Sequence, residues 1–145
     1  AIIEQEEIGI LEEANTPERK ERLRARQGQG EYRRKLLELC PVCPVTLISD
    51  DRLLIASHIK PWAKSNDFEK TDPYNGFMLT PTIDYLFDRG FITFTNNKEM
   101  LLSPFLSKMT YSKLGLVDHK KYPLLNTEGR TLYLEYHRQE IWKGY

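Results

Sequence analysis

Apolar and polar positions along the chain switch between helical and strand-like spacing in short blocks, each closed by proline, glycine or asparagine. Asn15-Thr16-Pro17-Glu18 reads as a helix start, with Thr16 as N-cap and Pro17 at the first helical position. A polar, arginine-rich helix is expected from there toward Gln27, interrupted by Gly28 and Gly30. Helical spacing resumes over Glu31–Leu39, with Leu36, Leu37 and Leu39 as the apolar side, and Pro41 and Pro44 end it. Val45–Ile48 is a short strand candidate, and Asp50-Asp51 a turn. Leu53-Leu54-Ile55-Ala56 fits a buried strand that delivers Ser57 and His58 at its end. Residues 60–76 form a long polar loop with Pro61, Asn66, Asp72, Pro73, Asn75 and Gly76, and long loops are disproportionately functional. Phe77–Leu79 is a short strand, and Thr80-Pro81 opens a helix through Asp88 that Arg89-Gly90 ends. Phe91–Thr95 and Met100–Leu102 flank Asn96-Asn97-Lys98-Glu99 as a hairpin. Residues 104–116 are weakly helical, and Thr131–Trp142 reads as a terminal amphipathic helix with Leu132, Leu134 or Tyr136, and Ile141 inward. Trp62 is expected to plug the core beneath the long loop, and His137 to pack the last helix.

A length of 145 residues suits one domain with a core of its own. Lysine plus arginine is 21 and aspartate plus glutamate is 21, so global charge selects no class of partner. Its distribution is informative. Residues 1–13 carry Glu4, Glu6, Glu7, Glu12 and Glu13 and no basic side chain, whereas residues 18–35 carry eight basic side chains against Glu18, Glu21 and Glu31. Two cysteines, Cys40 and Cys43, cannot make a disulfide framework, and their C-x-x-C spacing is half of a zinc ribbon. A structural zinc would need two further ligands, with only His119 and His137 spare, so the cysteines read as small buried hydrophobes. No apolar run approaches the roughly 18 residues of a membrane span, and no secretory signal is visible, so a cytoplasmic setting is expected. The first residue is Ala1 rather than Met, as in a domain cut from a longer protein or a processed chain.

The candidate chemistry gathers between residues 57 and 90. His58 sits where a buried strand meets a polar loop, and imidazole is the side chain best suited to accept a proton near neutral pH. Asp84 and Asp88 stand four apart on the expected helix, on one face and one turn apart. Like charges at that spacing repel, and a divalent cation turns the repulsion into binding; hard carboxylate oxygens suit magnesium or manganese. A histidine base with a carboxylate-held metal is a sufficient kit for phosphodiester hydrolysis. The plain structural alternatives are a packed histidine, a first-turn carboxylate on the positive end of its helix, and Asn75-Gly76 as a turn dipeptide.

Three stretches occur in order: Ser57-His58-Ile59-Lys60-Pro61-Trp62, Asn75-Gly76-Phe77-Met78-Leu79 and Asp84-Tyr85-Leu86-Phe87-Asp88-Arg89-Gly90. This arrangement resembles the HNH endonucleases, the ββα-metal nucleases, in the subgroup with an A/S-H-I-x-P-W, N-G-L-x-L, H/D-x-L-F-D-x-G pattern. Gly28–Arg33 and Cys43-Pro44-Val45-Thr46 resemble that subgroup's lead-in, so the likeness covers about residues 28–95. It implies an α+β fold with a ββα-metal core over 40–102, counting the following hairpin. An acidic lead-in (1–16), a basic helical arm (17–39) and a C-terminal helical extension (103–145) surround that core. It also implies His58 as general base for water, Asn75 as the residue that pins the loop and helps orient the base, and Asp84 and Asp88 as metal ligands, with magnesium, or manganese, as the ion. Two departures stand out: Asp84 replaces the last histidine of the name, and neutral Ser57 stands where many such enzymes place an acidic or histidine ligand.

The expected activity is metal-dependent hydrolysis of DNA, as the catalytic domain of a restriction or defence nuclease. Target choice would lie in a separate or fused recognition domain, and a homodimer is left open. A catalytically degenerate DNA-binding module and an RNA nuclease are the alternatives. Arg22, Arg24, Arg26, Arg33 and Arg34 on the arm, with Lys60, Lys64 and Arg89 beside the site, are the candidate phosphate contacts; the arm's other reading is a solvated helix face. Replacing Arg22, Arg24 and Arg26 by alanine is expected to flatten the salt dependence of DNA binding by about 0.9 in log–log slope for each phosphate charge no longer neutralised. A binding titration over a salt series measures this, and an unchanged slope returns the arm to the solvated reading.

Overall fold

The computed structural model describes residues 30–144. The acidic lead-in, the helix start at Thr16-Pro17, and Arg22, Arg24 and Arg26 lie outside the described residues.

The first described element is helix α1, residues 30–39. Tyr32, Leu36 and Cys40 recur every fourth residue and are all buried, so they form the inward face. Leu37 packs partly against the core and Leu39 is exposed, so the apolar side is rotated from the Leu36–Leu37–Leu39 reading. The strand expected over Val45–Ile48 is a turn. The Leu47 amide donates to the Cys43 carbonyl (2.9 Å) and the Cys43 amide to the Ile48 carbonyl (3.0 Å), with Leu47 at a φ of 64°. Buried Cys43 anchors this turn, and its backbone bonds are made locally rather than to a neighbouring strand.

Strand β1 (Ile55–His58) pairs antiparallel with β2 (Gly76–Leu79), Ile55 opposite Leu79 and His58 opposite Gly76. The connection between them is not bare loop. It holds a single 3₁₀ turn (Trp62–Lys64) and helix α2 (Asp67–Thr71). Asn66 caps α2 through the Glu69 amide, and the Glu69 side chain returns to the Asn66 amide, a complete capping box. Helix α3 (Pro81–Asp88) follows β2 directly. It ends as expected at Arg89-Gly90. The Phe91 amide reaches the Leu86 carbonyl, the Gly90 amide reaches that of Phe87, and Gly90 takes a φ of 76°. The second antiparallel pair is β3 (Ile92–Phe94) with β4 (Met100–Leu102), joined by the expected hairpin turn, in which Lys98 takes the left-handed conformation. Helix α4 (Lys108–Lys113) is capped by Ser107. The fold is therefore a small α+β arrangement of two short antiparallel ribbons and short helices.

All four residues of β2 are buried, as are all three of β3. Phe77, Phe87 and Phe94, from β2, α3 and β3, meet with ring centroids 5.2 to 6.4 Å apart and so join the two ribbons and the helix in one core. The last helix, α5 (Thr131–Tyr136), continues as a π-helical turn over His137–Ile141. Leu134 faces inward and Ile141 is half-buried, but Leu132 is 79% exposed. Buried Arg130 and His137 complete the inward face instead, because each finds acceptors inside the core. Among the described residues no helix is long and apolar enough to cross a membrane.

His137 packs the last helix, as its sequence position suggests. Its ring stacks on Phe87 at 3.9 Å, its Nε2–H donates to the Phe87 carbonyl (2.8 Å), and its Nδ1 accepts from the Thr93 hydroxyl (2.7 Å). That pattern requires the neutral ring, and burial pushes the pKa down to about 4. The unfolded chain therefore binds the proton first as pH falls. His137 costs nothing above its ordinary 6.5 and destabilises increasingly between 6.5 and about 4. The accumulated loss is on the order of 3 kcal/mol. Urea unfolding at pH 7 and pH 4.5 is expected to show this drop in the wild type and a smaller one in His137→Gln.

Candidate active site

Ser57 and His58 close β1, and the antiparallel register sets them opposite Phe77 and Gly76. The His58 Nε2 lies 2.8 Å from the Lys70 carbonyl. A carbonyl only accepts, so Nε2 carries the proton and Nδ1 is the basic nitrogen of the neutral ring. Among the described residues no hydrogen-bond partner lies on Nδ1. The other face of the ring is covered by Tyr32, stacked at 4.1 Å and 10°. Burial lowers the His58 pKa and the Lys70 carbonyl raises it, with a net lowering. The imidazole is thus neutral, and able to take a proton, at pH 7.

Lys70 belongs to the connection that Asn75 closes. The Asn75 side chain is fully buried; its Oδ1 accepts from the Lys60 amide (2.8 Å), and its Nδ2 donates to the Glu69 (3.0 Å) and Lys60 (3.3 Å) carbonyls. It pins both ends of the 60–75 connection and acts on His58 through it, without exposure to a substrate. Gly76 is not a turn glycine. It opens β2 and faces His58, and a Cβ there would collide with the Tyr32 hydroxyl and lie 2.9 Å from the Ser57 carbonyl.

Asp84 lies in the first turn of α3, half-buried, and Asp88 at its end, exposed. Burial raises the Asp84 pKa, the neighbouring Ser57 hydroxyl lowers it, and the charge of Asp88 raises it further, for a net rise. Ser57 thus connects the strand that carries His58 to the carboxylates of α3. A half-buried carboxylate whose charge is penalised by burial and by a neighbouring carboxylate suits a hard cation. Among the described residues no group of three or more His, Cys, Asp or Glu side chains gathers to hold a metal. Asp84 and Asp88 are the two carboxylates that could hold an ion here, the rest of its shell being water or substrate phosphate. Cys40 and Cys43 are both buried free thiols.

The basic candidates are differently placed. Lys60 forms an ion pair with Glu69 (3.0 Å) and lies 5.0 Å from the Tyr136 ring centroid. Arg33 donates to the carbonyls of Leu54 and Asp51, both at 2.7 Å, and so braces the approach to β1. Arg34 pairs along α1 with Glu31 and Glu38. Arg89 lies over Tyr85 at 5.0 Å, and Lys64 is exposed. Trp62 is not a core plug: it is 41% exposed, with the Lys70 ammonium 4.1 Å above its ring. The residue that residue-type reasoning passes over is Tyr32. Its signals are a place on the buried stripe of α1, four residues before Leu36, and a place within the Gly28–Arg33 lead-in.

Residues 40–95 match the model of the HNH endonuclease family, a stretch that contains Ser57–Trp62, Asn75-Gly76 and Asp84–Gly90. Over those residues the chain is similar to the HNH endonuclease family, and nuclease chemistry on nucleic acid is what that similarity suggests. The search of curated proteins returns no match.

Filling the space at position 76 is expected to be costly in a specific way. Gly76→Ala should lose about 1–3 kcal/mol in urea unfolding, as overpacking does. In a Tyr32→Phe background, where the colliding hydroxyl is gone, the same substitution should cost less, and a double-mutant cycle measures the coupling.

Proposed function

We propose that this protein is a divalent-metal-dependent DNA endonuclease of the HNH type, with β1, β2 and α3 as its ββα-metal core. The observation that carries this reading is the state of His58: a neutral imidazole with one nitrogen tied to the Lys70 carbonyl, the other unpaired among the described residues, next in sequence to the residue that meets Asp84.

In this scheme the His58 Nδ1 removes a proton from a water molecule, whose oxygen attacks phosphorus. The bond from phosphorus to the 3′ oxygen breaks, and that oxygen takes a proton from solvent. The products carry a 5′-phosphate and a 3′-hydroxyl. Asp84 and Asp88 would hold magnesium, or manganese, which would supply charge stabilisation for the phosphate and the leaving oxygen. Ser57 favours the charged form of Asp84, and Asn75 keeps the connection that bears Lys70, and hence His58, in place. Lys64, Arg89 and the arm residues Arg22, Arg24 and Arg26 are the proposed phosphate contacts. The setting is a cytoplasmic restriction or defence nuclease whose target is chosen by another domain or partner. The neutral Ser57 and the two-carboxylate donor set favour one second reading, a DNA-binding HNH fold that does not cut.

Incubating the protein with supercoiled plasmid and with RNA, under Mg²⁺, Mn²⁺ or excess EDTA, separates these readings. Nicking of DNA that needs the divalent ion is expected. Binding without nicking under every metal supports the non-cutting module, and cleavage confined to RNA changes the substrate. His58→Ala should lower the rate by about 10²–10⁴ while leaving the fold intact. The rate should rise with pH with its midpoint below the ordinary histidine pKa of 6.5, because the base works only when neutral and burial lowers its pKa. A rate that falls as pH rises over that interval would contradict the assignment.

A further inference from the structure

Tyr32 lies outside the segment that matches the family model, yet it makes closer contact with His58 than any carboxylate of the site is shown to make. Its ring lies parallel to the imidazole at 4.1 Å. It is 1% exposed, and its hydroxyl donates to the Asn75 carbonyl at 2.7 Å. The same hydroxyl occupies the space that a side chain at Gly76 would fill. These interactions converge on the junction that closes the connection carrying Lys70.

We propose that Tyr32 is a positioning residue for the general base: its stacked ring fixes the plane of the His58 imidazole, so that Nδ1 stays directed at the attacking water. The proposal rests on the nuclease reading of the site for its kinetic consequence, but not for its structural one. A single hydrogen bond from Nε2 to the Lys70 carbonyl holds one point of the ring and leaves the plane free to tilt about it. A parallel aromatic face removes that freedom. The hydroxyl bond and the burial of Tyr32 in turn hold that face, through Leu36 and Cys40 on the same side of α1. Preorganisation of this kind acts on the reacting geometry rather than on affinity for the substrate, so it belongs in kcat.

Two substitutions in the full chain test this. Tyr32→Phe keeps the stacked ring and removes only the hydroxyl; Tyr32→Leu keeps an apolar side chain and removes the ring. The Phe variant is expected within about threefold of wild-type kcat, and the Leu variant about 10- to 100-fold lower with KM changed little. Nuclear magnetic resonance of the His58 ring supplies a readout that needs no turnover. Its protons should be shifted upfield by the stacked ring in the wild type and the Phe variant. In the Leu variant that shift should vanish, and the ¹⁵N signals should move toward a mixture of tautomers. Equal activity and equal His58 spectra in the Phe and Leu variants would overturn the proposal, as would a Phe variant as impaired as the Leu one. If the wild type cuts no nucleic acid with any metal, the nuclease reading fails, and the spectra still decide whether Tyr32 sets the imidazole. If the Leu variant does not fold, the Phe variant decides: retained activity and ring shifts support the proposal, and their loss overturns it.

Discussion

The side chain of Asn75 is fully buried and bonds to the backbone at Lys60 and Glu69, so one amide closes a connection of some fifteen residues at both ends. Such a closure has no cheap substitute. An aliphatic residue there would orphan the Lys60 amide and two carbonyls in a place that water does not reach, and each buried unpaired group costs about 1–3 kcal/mol. The backbone of the same residue accepts the Tyr32 hydroxyl, and its neighbour Gly76 leaves the room that hydroxyl needs. The Lys70 carbonyl, and with it the orientation of His58, depends on this junction. The histidine is held by parts of the chain that are remote in sequence from it: α1 on one face and α2 on one edge.

The C-terminal part reaches the same junction from behind. Arg130 is buried, with its Nε donating to the Gly76 carbonyl (2.9 Å) and its Nη1 to the Asn126 carbonyl (3.1 Å), while its guanidinium lies over Phe77 at 5.0 Å. Burial lowers its pKa, and nearby acidic groups only partly offset that effect. A cation in such a place is tolerated because backbone carbonyls and an aromatic face replace its water. His137 does the corresponding work for α3, bonding the Phe87 carbonyl and packing on the Phe87 ring one residue before Asp88. Helix α3, which bears the proposed ligands, and β2, which pairs with the strand bearing the proposed base, are thus braced by the last twenty or so residues of the chain. A segment that matches the HNH family over 40–95 alone would lack those braces.

What is legible in the sequence follows the range of the interactions involved. Gly90 ending α3 and the β3–β4 hairpin are local signals, and the structure places them where the pattern does, whereas the buried strand expected over Leu53–Ala56 is shifted: Leu53 lies exposed in a 3₁₀ turn and the strand runs from Ile55, itself exposed, to His58. Asn66 and Glu69 are also legible, as a capping box, but the prolines and polar residues around them disguise α2 as loop. The departures share a cause. Val45–Ile48 has strand-like composition and forms a turn because Cys43 is buried beside it. Leu132 cedes its inward place to Arg130 and His137, polar residues whose acceptors come from β2 and α3. Gly76 looks like a turn glycine because its real reason, the Tyr32 hydroxyl, lies forty-odd residues earlier in the chain. Periodicity records which positions are apolar; it does not record which buried polar group will find a partner.

The two titratable groups at the heart of the site are moved in opposite senses by one cause. Burial lowers the pKa of His58 and raises that of Asp84, so each is pushed toward its neutral form. For a base this is useful without any partner, since neutrality is the working state. For a carboxylate it is a cost, increased by Asp88 and offset only in part by the Ser57 hydroxyl. A hard cation removes that cost by Coulomb attraction, and protons compete with it for the same oxygens. Acidification therefore acts on the two sides of the site together: it charges the imidazole and neutralises the carboxylate. A neutral serine between them serves this arrangement better than a third carboxylate would, because it can favour the Asp84 anion without adding another negative charge beside a half-buried carboxylate.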